Sequence, residues 1–179
     1  RHVLAGFGSQ TAIVWEGEPL AAPGGSGPDH PEVRRISYAE LRERICRCAN
    51  LLKTLGVRKG DVVTIYMGMV PELAVAVLAC ARIGAIHSVI FGGFSSQAIV
   101  DRVLDARSRV VITCDGAWRR GKVVPLKENV DTACATLAQR GHRVEHVVVV
   151  NRCENKVAWH DDRDHDWERS MAGQDPGCP

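Results

Sequence analysis

The chain has 179 residues, with 23 Lys and Arg against 21 Asp and Glu and a formal net charge of +2. So even a balance excludes the broad basic surface of a nucleic-acid binder, though not a local basic patch. At 45% hydrophobic and 25% charged residues it is no disordered chain, and with aromatics at 5% the core falls to Val, Leu, Ile and Ala. The longest apolar stretch, Leu73 to Ile83, is interrupted by Arg82 and is too short to cross a bilayer, so no membrane partner is expected. No secretory signal is read at the start, which opens on Arg1 rather than Met. The seven cysteines form no repeated C-x-x-C, and several sit inside apolar periodic runs, which fits buried thiols in a reducing compartment.

Thr11 to Glu16 mixes β-branched and aromatic residues and predicts a strand. A Pro/Gly-rich stretch, Pro19 to Pro31, follows, which no regular element should cross. Arg34 to Ser37 predicts a short strand pairing with the first, and Ser37 with Glu40 has the form of a capping box. Leu41, Ile45, Cys48, Leu52 and Leu55 then share one helix face, and Gly56 ends that helix. Val62 to Tyr66 is an apolar run typical of a strand buried on both faces. Pro71 opens a helix to Ile83 that is apolar nearly all round and is therefore expected to be buried. Ser88 to Phe91 predicts a third apolar strand, Ser95 or Ser96 a helix start, and Val110 to Thr113 another strand. A helix from Leu126 to about Arg140 and a strand at His146 to Val150 complete the series.

Strands and helices thus alternate, and helical crossovers are what parallel strands require. The fold class read from this is α/β, with parallel sheet layers flanked by helices. Three segments are distinguished: 1–36 with the N-terminal strands and Pro/Gly-rich loop, 37–150 with the α/β part, and 151–179 as a charged irregular tail.

Two loops carry candidate chemistry. Phe91-Gly92-Gly93-Phe94-Ser95 is a strand end, two glycines and a helix start, where a ligand can approach backbone and an anion can meet free amides. It is neither G-x-G-x-x-G nor a phosphate loop with Gly-Lys-Ser/Thr. Arg119, Arg120, Gly121 and Lys122 set three cations in four residues after the Val110 strand, a group able to clamp phosphate. Taken alone, the first loop also fits a plain tight turn and the second a solvated run. Both follow strand ends, so both are expected on one edge of the sheet, where open α/β sheets collect ligands. Trp159 to Trp167 is dense in His and Asp, but with no matching ligand cluster and Arg163 inside it, it reads as a solvated acidic stretch and no metal is assigned. No nucleophile elbow occurs, no Cys has a partner His context, and His87 reads as structural.

Read as a whole, Thr11 to about Val150 resembles the AMP-forming acetyl-CoA synthetases of the adenylate-forming superfamily. The residues carrying the resemblance are Thr11 to Gly17, Ile36 to Leu41, Lys59-Gly60-Asp61, Asp101-Arg102, Val110 to Thr113 and Pro125 to Asp131. The most specific is the long block Val70 to Ser95. The resemblance implies part of the large N-terminal domain of an enzyme that joins acetate to CoA through an acyl-adenylate, releasing pyrophosphate and then AMP. ATP, CoA and acetate are the implied small-molecule partners, with Mg2+ needed by the intact enzyme but no ligands for it in this chain. Gly92 and Gly93 would line the path of CoA, and Arg119, Arg120, Gly121 and Lys122 would hold its phosphorylated adenosine end. Lys122 stands where the family usually has Arg, Trp118 and Arg120 replace smaller residues, and Gly68 replaces a usual Pro. The family's phosphate loop, acyl pocket and catalytic lysine lie downstream, so no catalytic residue is assigned and an N-terminal piece inactive alone is expected. A propionate or other short-chain ligase, and a non-catalytic CoA- or nucleotide-binding module, are the competing expectations. Cytoplasm is the expected compartment, with the mitochondrial matrix as the alternative.

Overall fold

The computed structural model describes residues 2–18 and 32–179; Pro19 to Pro31, the Pro/Gly-rich stretch, lies outside them. A short π-helical turn, Val3–Phe7, leads into β1 (Thr11–Glu16), which pairs antiparallel with β2 (Val33–Ser37). Ser37 then caps α1 (Tyr38–Thr54). Its hydroxyl accepts from the Glu40 amide, and the Glu40 carboxylate accepts from the Ser37 amide at 2.8 Å, so the capping box is closed.

The central sheet is built from β3 (Val62–Met67), β4 (Ile86–Phe91), β5 (Val110–Cys114), β8 (His146–Val150) and β9 (Asp164–Asp166). All four pairings in it are parallel, in the order β4-β3-β5-β8-β9. The crossovers are α2 (Pro71–Ile83), α3 (Ser96–Ala106) and α4 (Leu126–Gln139). α1 packs on α2 and on α5 (Trp167–Ala172), while α3 packs on α4, so two helix groups flank the sheet. β3 and β5 are buried along nearly their whole length, as double-sided cover requires.

Three expectations need correction. First, α2 is not buried all round: Leu78 is 42% exposed, and Ala81 and Arg82 also face outward. Its sequence lacks a polar face, so periodicity could not reveal that one side stays open. Second, the strand read as Ser88 to Phe91 begins already at Ile86 and forms the sheet edge, with Ile86 at 55%, Val89 at 44% and Phe91 at 54% exposure; His87 is exposed as well. Third, 151–179 is not irregular, because β9 extends the sheet and α5 buries Trp167 and Met171 against it.

The acidic stretch within that segment is solvated only from Trp159 to Asp162, and from Arg163 onward it turns inward. Asp164 is 5% exposed and Lys127 is fully buried, and their charges meet at 2.7 Å. Asp131 bonds Lys127 at 2.8 Å and Arg163 at 2.5 Å, and Arg163 reaches Asp164 at 2.8 Å. Burial raises the Asp164 pKa, but the hydrogen bonds and charge of Arg163 and Lys127 outweigh it and hold the carboxyl below its usual range. Two cations and two carboxylates satisfy one another here and tie α4 to β9.

Candidate functional site

In the strand order β4-β3-β5, the chain leaves β3 toward one side and β5 toward the other, so the order reverses between them. Loops diverge at such a point and leave a crevice at the carboxyl ends of the strands. The crevice is present, with a volume of about 290 Å³. Four strand ends contribute to it: Gly68 and Met69 after β3, Gly92 and Gly93 after β4, Ala117 to Arg119 after β5, and Arg152 after β8.

Space requires the first of the two glycines, and the second lies close against two side chains. A Cβ on Gly92 would lie 2.9 Å from the Met67 carbonyl oxygen, which is backbone and cannot swing aside. One on Gly93 would lie 2.6 Å from Arg119 Nη1 and 2.8 Å from the Phe91 ring. Gly68 also meets its neighbour closely, since a Cβ there would come within 2.9 Å of the Ala117 methyl. The absence of a side chain at Gly68 lets the β3 and β5 loops close together.

Tyr66, at the end of β3, fixes the glycine loop from below. Its hydroxyl donates to the Phe94 carbonyl at 2.7 Å and accepts from Asn129 Nδ2 at 3.2 Å. Burial pushes the phenol pKa up, against the pull of the Asn129 bond, so it remains a donor at neutral pH.

Arg119 to Lys122, the predicted basic cluster, forms the tip of a hairpin that periodicity did not show. β6 (Ala117–Arg119) and β7 (Lys122–Val124) pair antiparallel with Arg119 opposite Lys122. Arg120 and Gly121 have φ of 51° and 74°, the two positive angles a type I′ turn needs. The hairpin separates the cations. The Arg119 guanidinium lies 5.3 Å from the Phe91 ring centroid and lines the crevice, whereas Arg120 and Lys122 stand exposed at the turn, outside its lining. The Arg120 amide donates to Glu18 Oε2 at 2.8 Å. The structure therefore brings Gly92, Gly93 and Arg119 together, with Gly121 shaping the turn.

Three contributors were not read from the sequence. Asp115, 2% exposed, accepts from the amides of Gly116, Arg152, Cys153 and Asn155 at 2.7 to 3.2 Å. One carboxylate thus organises the ends of β5 and β8. The Asp115-Gly116 pair at a strand end is a turn signal that could have revealed it. Trp15, on β1, donates from Nε1 to the Met69 carbonyl at 2.6 Å and walls the crevice. Arg152 lies over that same ring, 5.0 Å from its centroid, and no sequence signal marks it.

Burial, with Asp115 and against the nearby charge of Arg152, pushes the Cys153 thiol up to about 11. Burial raises Cys114 as well. Neither offers a thiolate beside the crevice. Among the described residues, no group of three or more His, Cys, Asp or Glu side chains could hold a metal ion. No helix among them is long and apolar enough to cross a membrane. What the arrangement offers is a recessed, partly aromatic slot in which the cations Arg119 and Arg152 share the lining with Glu16 and Glu18.

Residues 2–177 match the family model described as AMP-binding enzyme. The chain belongs to that family. Among curated relatives of the chain, the acetyl-coenzyme A synthetase of Shewanella denitrificans is 49% identical over 179 residues, covering 100% of this chain and 26% of the relative. That of Citrobacter koseri is 51% identical over 180 residues, covering 98% and 26%, and that of Streptomyces coelicolor 51% over 174, covering 97% and 24%. The chain therefore spans about a quarter of the length of the relatives it matches.

Proposed function

We propose that this chain serves as the N-terminal portion of an AMP-forming acetate–CoA ligase, and that its crevice receives the phosphorylated adenosine end of CoA. The observation that carries the reading is the convergence of Gly92, Gly93 and Arg119 on one crevice at the reversal of strand order. The near-half identity to proteins named acetyl-coenzyme A synthetase supports the acetate assignment. The enzyme would activate acetate with ATP to acetyl-adenylate and pyrophosphate, with Mg2+ assisting, before the CoA thiol displaces AMP. Residues of this chain take part by binding.

CoA carries a 3′-phosphate and a diphosphate, and a guanidinium binds such groups through paired, charge-assisted hydrogen bonds. Arg119 supplies that fork at the crevice wall. Arg120 and Lys122 add charge from the solvent side of the turn, and the missing side chains of Gly92 and Gly93 let the ligand reach the backbone. Cytoplasm is the proposed compartment, in keeping with the bacterial relatives.

Calorimetry with CoA tests the reading directly. The 179-residue chain is expected to bind CoA, and Arg119→Ala to weaken binding about tenfold, the loss of one charge-assisted pair. In the longer ligase the same change should raise the CoA KM while leaving acetate-dependent pyrophosphate exchange intact. Equal loss of both half-reactions, or no CoA binding by the unaltered chain, overturns it.

A further inference from the structure

We infer that Arg152 is a second ligand-gripping cation of the crevice, one that exchanges the Glu32 carboxylate for a phosphate of the bound nucleotide; this role rests on the CoA reading of the crevice. Arg152 follows β8 and lines the crevice on the side where Trp15 stands, and only 13% of its side chain is exposed. It is held at both ends. The Asp115 carboxylate accepts from its amide at 2.8 Å, and its guanidinium rests over the Trp15 ring at 5.0 Å. Gly17 leaves room for it, since a Cβ there would lie 3.2 Å from Arg152 Nη2. A guanidinium positioned in this way has lost its side-chain freedom before any ligand arrives, which lowers the cost of gripping one.

Its counter-ion is built to let go. Glu32 meets Arg152 Nη1 at 3.2 Å, but its side chain is 41% exposed, and half-exposed pairs are weak. Glu32 also has a second cation, Arg34, at 2.5 Å, so it is not stranded when Arg152 turns away. A phosphate in the recess offers more charge and less water than that carboxylate, and the stack on Trp15 tolerates the exchange because it depends on the ring face and not on Glu32. The change releases Glu32, the residue just before β2, from Arg152, so ligand entry would be felt at the start of β2.

Calorimetry of the 179-residue chain with CoA, at low and at raised salt, separates this role from a structural one. Arg152→Gln should weaken CoA about tenfold and flatten the salt dependence, and Arg152→Lys should restore only part of the affinity. Glu32→Gln should act in the opposite direction and tighten CoA several-fold, because Arg152 no longer has to leave a carboxylate. If Arg152 merely props the hairpin, Glu32→Gln will leave CoA affinity unchanged or weaken it, which overturns the exchange. This exposed substitution also keeps the test decisive should Arg152→Gln fail to fold. Loss of affinity in Arg119→Ala with none in Arg152→Gln overturns the role of Arg152 and leaves the crevice reading standing. Absence of CoA binding by the unaltered chain overturns both.

Discussion

Lys127 and Arg163 share Asp131 and Asp164 inside the molecule at 2.5 to 2.8 Å, whereas Arg119, Arg120 and Lys122 have no carboxylate within ion-pair distance among the described residues. The two groups have the same chemistry and opposite settings. A buried cation must be matched or it destabilises the fold, so the inner group is closed and gives nothing to a ligand. The outer group stands on a hairpin in water, where an unmatched cation costs little and remains available. Unspent charge beside a recess is what marks the crevice, more than the number of cations in a row.

Substitutions test this contrast, beginning with the inner group. Lys127→Met should cost about 3 to 5 kcal/mol in urea unfolding, because Asp164 and Asp131 lose a buried partner. A change below about 1 kcal/mol would show the cluster to be dispensable. Acid should act next. Asp164 is held below its usual carboxyl range, so its contribution is fully present above the ordinary value of 3.8 and is lost as pH falls through the lower folded value. The unfolding midpoint should drop in that window, and Asp164→Asn should remove most of the drop. Tyr66→Phe is expected to cost about 1 kcal/mol by leaving the Phe94 carbonyl and Asn129 without their partner, and to loosen the Gly92-Gly93 loop toward CoA. Arg119→Gln should do least to stability, within about 0.5 kcal/mol, while still weakening CoA. Destabilisation by Arg119→Gln as large as that by Lys127→Met would erase the distinction between the groups.

Much of the fold was legible because its signals are local. The Ser37 and Glu40 capping box, Pro71 at a helix start, the apolar runs of β3, β5 and β8 and the 3.6-residue period of α1 each act through near neighbours. Gly92-Gly93 and Arg119 could be assigned to one sheet edge because parallel strands end together. The hairpin at Ala117 to Val124 was not read, since its strands are only three residues each and its turn carries Arg rather than Asn or Asp before Gly. The burial of Asp164 was not read either, because nothing near it in the sequence announces a partner 37 residues away at Lys127.

The sequence by itself determined the strands and helices from β1 to β8, apart from the β6–β7 hairpin, and that the sheet is parallel. Those follow from side-chain period, capping and the length of crossovers. Only the tertiary structure decided which cations are free, that α2 and β4 keep an open face, and that Asp115, Trp15 and Arg152 complete the crevice. A charge becomes structural or available according to what lies within about 4 Å of it, and residues distant in sequence decide that.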